Sequence, residues 1–208
     1  MKYYASHCGG SHKRISFLVQ NGIGCMISAA DFRKPYSFYA IDNGAWTDFT
    51  HGESFNHYRF IKVLNRIYTE KLKPDFIVLP DVVRNGKESI KLSKKYLFIT
   101  DMFPCYLAVQ NGMKPDDIKE FTDCISGIFI GGDNIWKYRY LDEWINFAHK
   151  HELNCHVGKV GTLKDIMSCV NSGADSADSS NLIRNGFSER IIEILNTAHT
   201  HAKLVERQ

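Results

Sequence analysis

Short apolar runs alternate with longer amphipathic stretches along this chain of 208 residues. Short runs rich in apolar, β-branched or aromatic residues and bounded by turn residues are typical of buried strands. Eight such runs predict strands at 3–6, 25–28, 38–41, 76–79, 105–109, 127–130, 155–157 and 174–177.

The stretches between these runs have helical spacing. Apolar residues at i, i+3, i+4 and i+7 share one face of a helix and suit packing on a sheet. The clearest examples are Phe60, Val63, Leu64 and Ile67, and later Ile191, Leu195, Ala198 and Ala202.

Eight successive strand and helix units predict an α/β fold, a small (β/α)8 TIM barrel formed by residues 1–208 as a single domain. A doubly wound open sheet is the alternative, because alternation alone does not separate the two architectures. The connection 29–37 contains Pro35 and is too short for a full helix. We therefore expect one outer helix to be missing there.

Composition is that of an ordinary globular protein, with 44% hydrophobic and 24% charged residues. The net charge of +3 permits contact with a phosphate backbone without requiring it. The first residues lack a signal-peptide pattern and no run is apolar enough for a membrane helix, so we expect a cytoplasmic protein without membrane contact. Six scattered cysteines without a C-x-x-C pair predict buried free thiols.

Polar residues follow the predicted strands, and the carboxyl ends of barrel strands are where active sites form. These strand ends carry Asp42 with Asn43, Asp81, Gln110, Gly131 with Gly132, and Asp178. A single aspartate in such a place often caps the next helix. Three aspartates on one rim repel each other and destabilise the fold, so their presence together indicates that a function retains them. The pattern therefore predicts a site containing several carboxylates.

Other residues near the rim have two interpretations each. Trp46 could stack on a planar base or pack in the core. Gly131 and Gly132 could present amide groups to a flat ligand or form a plain tight turn. Lys13 and Arg14, at the start of the first predicted helix, could contact phosphate or lie on a solvated helix face.

A longer pattern lies in the C-terminal part of the chain. It has the form V-G-T-x-x-D-[LI]-x-x-x-V-x-x-G-x-D-x-x-D with a later arginine, and consists of Val160-Gly161-Thr162, Asp165-Ile166, Val170, Gly173, Asp175, Asp178 and Arg184. In this pattern, and in the order of the strand-end residues, the chain resembles the tRNA-guanine transglycosylase family over about residues 38 to 186.

The resemblance implies a division of labour between two carboxylates. Asp178 matches the family's nucleophile, which attacks the sugar's anomeric carbon and forms a covalent glycosyl-enzyme intermediate. Asp42 matches the general acid/base that acts on the departing and incoming bases. Breaking an N-glycosidic bond builds positive charge on the sugar, so the chemistry independently favours one carboxylate beside the sugar and another that moves protons.

The remaining matched residues are implied to bind the substrate. Groups that read a guanine-like edge are matched by Asp81, Gln110 and the backbone of Gly131 and Gly132, and Asn43 is also expected to bind the substrate. Trp46 matches an aromatic stacked on the base, and Arg184 would hold a phosphate. Asp133 follows the glycine pair where the family usually has an apolar residue, which puts the base preference in doubt.

The family's C-x-C-x-x-C zinc signature is missing from this sequence, so we expect no metal and no cofactor. The short chain resembles the paralogues that insert 7-deazaguanine derivatives into DNA, known from bacterial modification systems and phages. That likeness implies DNA, rather than tRNA, as partner, together with a free 7-deazapurine such as preQ0 or preQ1 and further modification-system proteins. A simple N-glycosidase and a non-catalytic base-binding or nucleic-acid-binding subunit stay open as alternatives.

Overall fold

The computed structural model describes residues 1–6, 12–180, 184 and 189–205. Eight parallel strands close into a barrel in the order β1 to β8, and β8 pairs with β1. The protein is therefore a (β/α)8 TIM barrel, and the alternative of an open sheet is excluded. The strands are β1 Lys2–Ser6, β2 Ile23–Ser28, β3 Tyr39–Asp42, β4 Ile77–Val78, β5 Cys105–Val109, β6 Gly127–Ile130, β7 Asn154–Val157 and β8 Ser176–Ser179.

Helices connect the strands on the outside of the barrel. The described helices are α1 His12–Gln20, α2 Ala45–Thr50, α3 His57–Thr69, α4 Gly86–Lys94, α5 Asn134–Arg139, α6 Leu141–Lys150, α7 Leu163–Asn171 and α8 Glu189–Val205. Short 3₁₀ helices lie at Ala29–Asp31, Leu97–Ile99 and Pro115–Phe121. The first of these replaces the outer helix between β2 and β3, which confirms the expected missing helix.

The main core lies between the outer face of the sheet and the helices. Helix α3 shows why the sequence folds this way, since Phe60, Val63, Leu64 and Ile67 are all buried on the face that its spacing predicts. Asn56 accepts a hydrogen bond from the Arg59 backbone N–H and so caps the first turn. Near the C-terminus, Ile191 and Leu195 are buried as expected, while the side chains of Ala198 and Ala202 lie outside the described residues.

A second, smaller core fills the barrel itself. Successive side chains of a strand point to opposite faces of the sheet, so every second residue faces inward. The lower layers hold mostly aromatic and small apolar residues: Tyr4, Met26, Ala40, Phe76, Val78, Tyr106 and Ala108. The Phe76 and Tyr106 rings stack with their centroids 3.9 Å apart. Gly127 leaves room for this pair, because a Cβ there would lie 2.7 Å from the Tyr106 ring.

Several boundaries differ from the sequence predictions. β8 begins and ends two residues later than predicted, so Asp178 lies inside the strand rather than after it. The β5 to β6 connection contains a seven-residue 3₁₀ helix, a second departure from the regular pattern that we did not predict. Four cysteines are buried free thiols as expected, whereas Cys124 is exposed and Cys8 lies outside the described residues. Within the described part of the chain, no helix is both long and apolar enough to cross a membrane.

The buried face of α3 gives a test of this packing. Phe60→Ala removes a ring that is 0% exposed and leaves a cavity, so we expect a loss of about 3–5 kcal/mol in the free energy of unfolding. Tyr58→Ala, on the same helix but 78% exposed, should change it by less than about 0.5 kcal/mol. Urea unfolding of both variants measures the difference, and equal losses would contradict the assigned orientation of α3.

Candidate active site

A cavity of about 1230 Å³ opens at the carboxyl ends of the strands. Nearly all of the predicted site residues line it: Asp42, Asn43, Trp46, Asp81, Gln110, Gly131, Gly132, Asp178 and Arg184. Lys13 and Arg14 do not; they lie exposed on α1, outside the lining of this cavity. Their contact with phosphate stays a prediction.

The Asp178 carboxylate is buried in the top inward-facing layer of the barrel. One oxygen accepts a hydrogen bond from Ser6 Oγ at 2.6 Å, and the other lies 3.1 Å from His156 Nε2. Burial alone would raise the pKa of Asp178. The hydrogen bond and charge of His156, the Ser6 hydroxyl and the nearby Lys137 ammonium outweigh burial and hold that pKa below its usual value. Asp178 is thus kept as an anion at the cavity wall.

His156 was not predicted, and it holds Asp178 from inside the barrel. Its imidazole is 0% exposed, its Nδ1 lies 2.8 Å from Ser176 Oγ, and its ring stacks on Phe129 with centroids 4.9 Å apart. A side chain fixed at both ring nitrogens and by stacking has little rotational freedom. The carboxylate it contacts is therefore fixed in direction as well as in charge.

Asp42 is the last residue of β3 and precedes the turn that leads into α2. Its Oδ1 accepts a hydrogen bond from the Gly44 backbone N–H at 2.8 Å, and Gly44 adopts the left-handed conformation with φ +86°. Burial raises the pKa of Asp42 to about 7, and the negative charges of Asp81 and Asp178 add to this effect. Asp42 therefore exchanges a proton near neutral pH, whereas Asp178 stays ionised.

Asp81 lies in a buried network with two amide side chains. Asn43 Nδ2 donates to Asp81 Oδ1 at 2.7 Å, and Gln110 Nε2 donates to Oδ2 at 2.6 Å. Asn43 also donates to the Leu79 carbonyl and accepts from the Ala45 N–H, so its polar atoms are all engaged within the protein. Burial, only partly offset by these donors, raises the pKa of Asp81. Asn43 thus positions Asp81, and its expected role in binding the substrate stays a prediction.

The glycine pair behaves differently from our expectation. The Gly131 N–H donates to the Val109 carbonyl at 3.0 Å, and the Gly132 N–H donates to Gln110 Oε1 at 2.9 Å. Neither amide is directed at a ligand. Gly131 is required because a Cβ there would lie 2.5 Å from Gln110 Nε2. The pair therefore makes room for Gln110 and orients it.

Trp46 is 41% exposed and borders the cavity, so the alternative of a core role does not hold. The Lys159 ammonium lies 2.9 Å from the centroid of its ring. Desolvation, together with the charges of Lys137 and Arg84, lowers the pKa of Lys159 to about 8. The ring on which we expected a base to stack is thus covered by a cation on one side.

Asp133 has a structural role that explains its presence. It is the N-cap of α5, accepting a hydrogen bond from the Trp136 N–H at 2.9 Å and another from Asn111 Nδ2 at 2.6 Å. These bonds lower its pKa. The capping interpretation that applies to any strand-end aspartate is correct here, whereas Asp42, Asp81 and Asp178 cap no described helix.

The C-terminal sequence pattern also serves the local fold. Thr162 caps α7 by accepting from the Asp165 N–H, Gly173 ends that helix region with φ +84°, and Asp175 accepts from the Cys155 N–H at 2.7 Å. These interactions place β8, and with it Asp178, against β7.

Four cations at the cavity were missed by the sequence reasoning: Arg33, Lys34, Arg84 and Lys159. His156 lies in β7 and Lys159 lies two residues after its end, and we did not consider this strand end. Every second residue of β7 faces into the barrel, and this alternation could have indicated that His156, two residues before Gly158, faces inward. No cluster of three or more potential metal ligands occurs among the residues that the structure describes.

No protein-family model matches the chain, and no curated protein matches it significantly. The resemblance to the transglycosylases therefore stays a prediction, and the chemistry must be argued from the site's own residues.

The raised pKa of Asp42 predicts a pH-dependent gain in stability for Asp42→Asn. Between about pH 4 and pH 7 the native state binds the Asp42 proton more tightly than the unfolded chain does, so the wild-type protein loses stability as the pH rises through this range. Asp42→Asn has no ionisable group at this position, so the variant does not lose stability in this way. Each pKa unit corresponds to about 1.4 kcal/mol, and the pKa of Asp42 rises from its ordinary value of 3.8 to about 7. We therefore expect the variant to be more stable than the wild type by about 4 kcal/mol at pH 8 and by only about 1 kcal/mol at pH 4.5.

Urea unfolding at both pH values measures this difference. Asp142→Asn, on the exposed surface of α6, is the matched control and should show no such gain at pH 8. A wild type more stable than Asp42→Asn at pH 8 would show that the Asp42 anion is stabilised in the fold.

Proposed function

We propose that the protein is a guanine transglycosylase, which exchanges a guanine in nucleic acid for a 7-deazaguanine base through a covalent Asp178 intermediate. One observation carries the proposal. Asp178 and Asp42 line the same cavity, and their environments move their pKa values in opposite directions, one downward and the other to about 7. Such a pair suits one carboxylate that stays anionic and another that transfers protons.

In the first half of the proposed reaction, an Asp178 oxygen attacks the anomeric carbon of the sugar. The bond from that carbon to N9 of guanine breaks, and its electron pair leaves with the base. The protonated Asp42 donates its proton to the departing base and becomes a carboxylate. The hydrogen bonds from Ser6 and His156 keep the Asp178 carboxylate ionised and directed before the attack.

In the second half, the 7-deazapurine occupies the place that guanine left. The Asp42 carboxylate removes the proton from N9 of the incoming base, and N9 attacks the anomeric carbon and displaces Asp178. Two inversions give net retention at the sugar, and both carboxyl groups return to their starting protonation states.

Asp81 supports a guanine-like base in particular. Guanine and 7-deazaguanine each present an N1–H and a 2-amino donor on one edge, and a carboxylate provides acceptors for both. Asn43 and Gln110 each use one position on the Asp81 carboxylate and hold it in the cavity wall. The remaining lone pairs are then available for the base edge.

A nucleic-acid substrate is supported by the cations around the cavity. Arg33, Lys34, Arg84, Lys159 and Arg184 line it together with the carboxylates, and positive side chains of this kind hold phosphates. A base inside a stack cannot reach a cavity within a barrel mouth, so the target nucleotide would have to be unstacked first. We propose DNA, rather than tRNA, as the polymer.

Incorporation of labelled base tests the proposal. The protein is incubated with radiolabelled guanine, preQ0 or preQ1 and with either DNA or tRNA, and label retained in the polymer is counted. We expect retention with DNA, and loss of retention by at least about 10³-fold in Asp178→Asn with the fold preserved by circular dichroism. Thr47→Ala, at the cavity edge but outside the proposed chemistry, should retain exchange.

The alternatives give different results in the same assay. Release of free guanine without retention of label would identify an N-glycosidase, in which water resolves the intermediate. Nucleic-acid binding with neither release nor retention, and unaffected by Asp178→Asn, would identify a non-catalytic subunit of a modification complex.

The pH dependence of exchange gives a further prediction. Because Asp42 must be protonated when guanine departs, we expect the exchange rate to fall above about pH 7. The nearby Lys159 ammonium lowers the pKa of Asp42, so Lys159→Gln should move this fall to higher pH. Rates measured from pH 5 to 9 test this. A fall that stays at the same pH, or moves lower, in Lys159→Gln would contradict the assignment to Asp42.

A further inference from the structure

An exposed row of two aromatic rings and two cations borders the cavity. Trp46 and Phe49 lie three residues apart on α2, are 41% and 44% exposed, and have ring centroids 5.7 Å apart. Lys159 lies over the Trp46 ring, and the Arg84 guanidinium lies 5.9 Å from the Phe49 centroid. We call Arg84, Phe49, Trp46 and Lys159 the ledge. Each cation lies beside one of the two rings.

Both cations of the ledge belong to residues with positive φ. Four described non-glycine residues have positive φ: Lys71, Arg84, Glu152 and Lys159. Lys71 and Glu152 directly follow the C-caps of α3 and α6, where left-handed residues are common. Arg84 (φ +60°) and Lys159 (φ +59°) follow no described helix end. Such conformations cost free energy and cluster at functional sites.

The two cations are also near enough to repel each other. The charge of Arg84 contributes to lowering the pKa of Lys159. Neither side chain forms a salt bridge with a residue that the structure describes, although Asp133 is near enough for Arg84 to help lower its pKa. Two like charges held near one another at a cavity rim favour an anion between them.

We propose that the ledge binds the nucleotide next to the target guanine, its phosphate between Arg84 and Lys159 and its base against Phe49. This subsite rests on the proposed function for the identity of its neighbour in the cavity. Arg84 links the two, because its backbone N–H donates to Gln110 Oε1 at 3.1 Å. The ligand class is single-stranded nucleic acid, since a base can cover an exposed ring only after it has left its own stack.

Equilibrium binding in the Asp178→Asn background tests the subsite without chemistry. Fluorescence anisotropy is measured with a labelled single-stranded 9-mer of DNA that contains one central guanine. Two further 9-mers carry an abasic residue on the 5′ or the 3′ side of that guanine. If Asp178→Asn does not fold, the wild-type protein is used with adenine in place of the guanine, which the proposed exchange does not act on.

We expect Phe49→Ala to weaken binding of the intact 9-mer by about fivefold or more, and to have little effect on one of the two abasic 9-mers. Arg84→Ala should reduce the slope of log Kd against log salt by about 0.7 for the lost phosphate contact. Phe98→Ala and Lys62→Ala, an exposed ring and an exposed cation away from the cavity, are the matched controls and should stay within twofold.

Two results would overturn the subsite. One is binding within twofold of the parent for both Phe49→Ala and Arg84→Ala; the other is an equal loss for Phe49→Ala on the intact and both abasic 9-mers. The proposed function is tested separately by label incorporation. Coupling between Phe49 and one neighbouring base without any exchange would retain the subsite and reject the transglycosylase.

Discussion

Closure of the parallel sheet is the constraint on which this molecule depends. Because β8 pairs with β1, every strand has two hydrogen-bonded neighbours and all strands point the same way. The carboxyl ends of all eight strands therefore lie at one rim. The inward side chains also share one space, so that a residue's height on its strand decides its surroundings. Aromatic rings occupy the lower layers, and Ser6, Asp42, Gln110 and Asp178 form the polar layer above them.

The three carboxylates of Asp42, Asp81 and Asp178 would destabilise the barrel mouth if all had the same surroundings. Their surroundings differ. Asp178 receives two strong partners and stays ionised, Asp81 is held by two amides, and Asp42 receives a single backbone N–H and has a pKa raised to about 7. Burial and the number and charge of hydrogen-bond donors thus give three identical side chains different proton affinities.

Much of this arrangement is readable from the sequence. Turn-bounded apolar runs located all eight strands, and the strand-end rule located Asp42, Asp81, Gln110 and Asp178 at the cavity. Both predictions succeed because they depend on local patterns: the length of an apolar run and the residue that follows it.

What could not be predicted depends on tertiary contacts. Alternation of strands and helices did not decide between closure and an open sheet. Nothing in the sequence indicated that the amides of Gly131 and Gly132 would be used inside the protein, or that Arg84 and Lys159 would adopt positive φ. The alternation along β7 could have indicated that His156 faces inward, but not that its ring lies between Ser176 and Asp178.

In the connection between β2 and β3, a short 3₁₀ turn stands in for an outer helix beside the cavity. Asp31, Arg33, Lys34 and Tyr36 from this connection form part of the cavity wall. A loop of this kind can gain or lose residues without disturbing the strand hydrogen bonds or the helix packing beneath it. The size of molecule that the barrel mouth admits can therefore evolve independently of the polar layer, by changes in length confined to this stretch of wall.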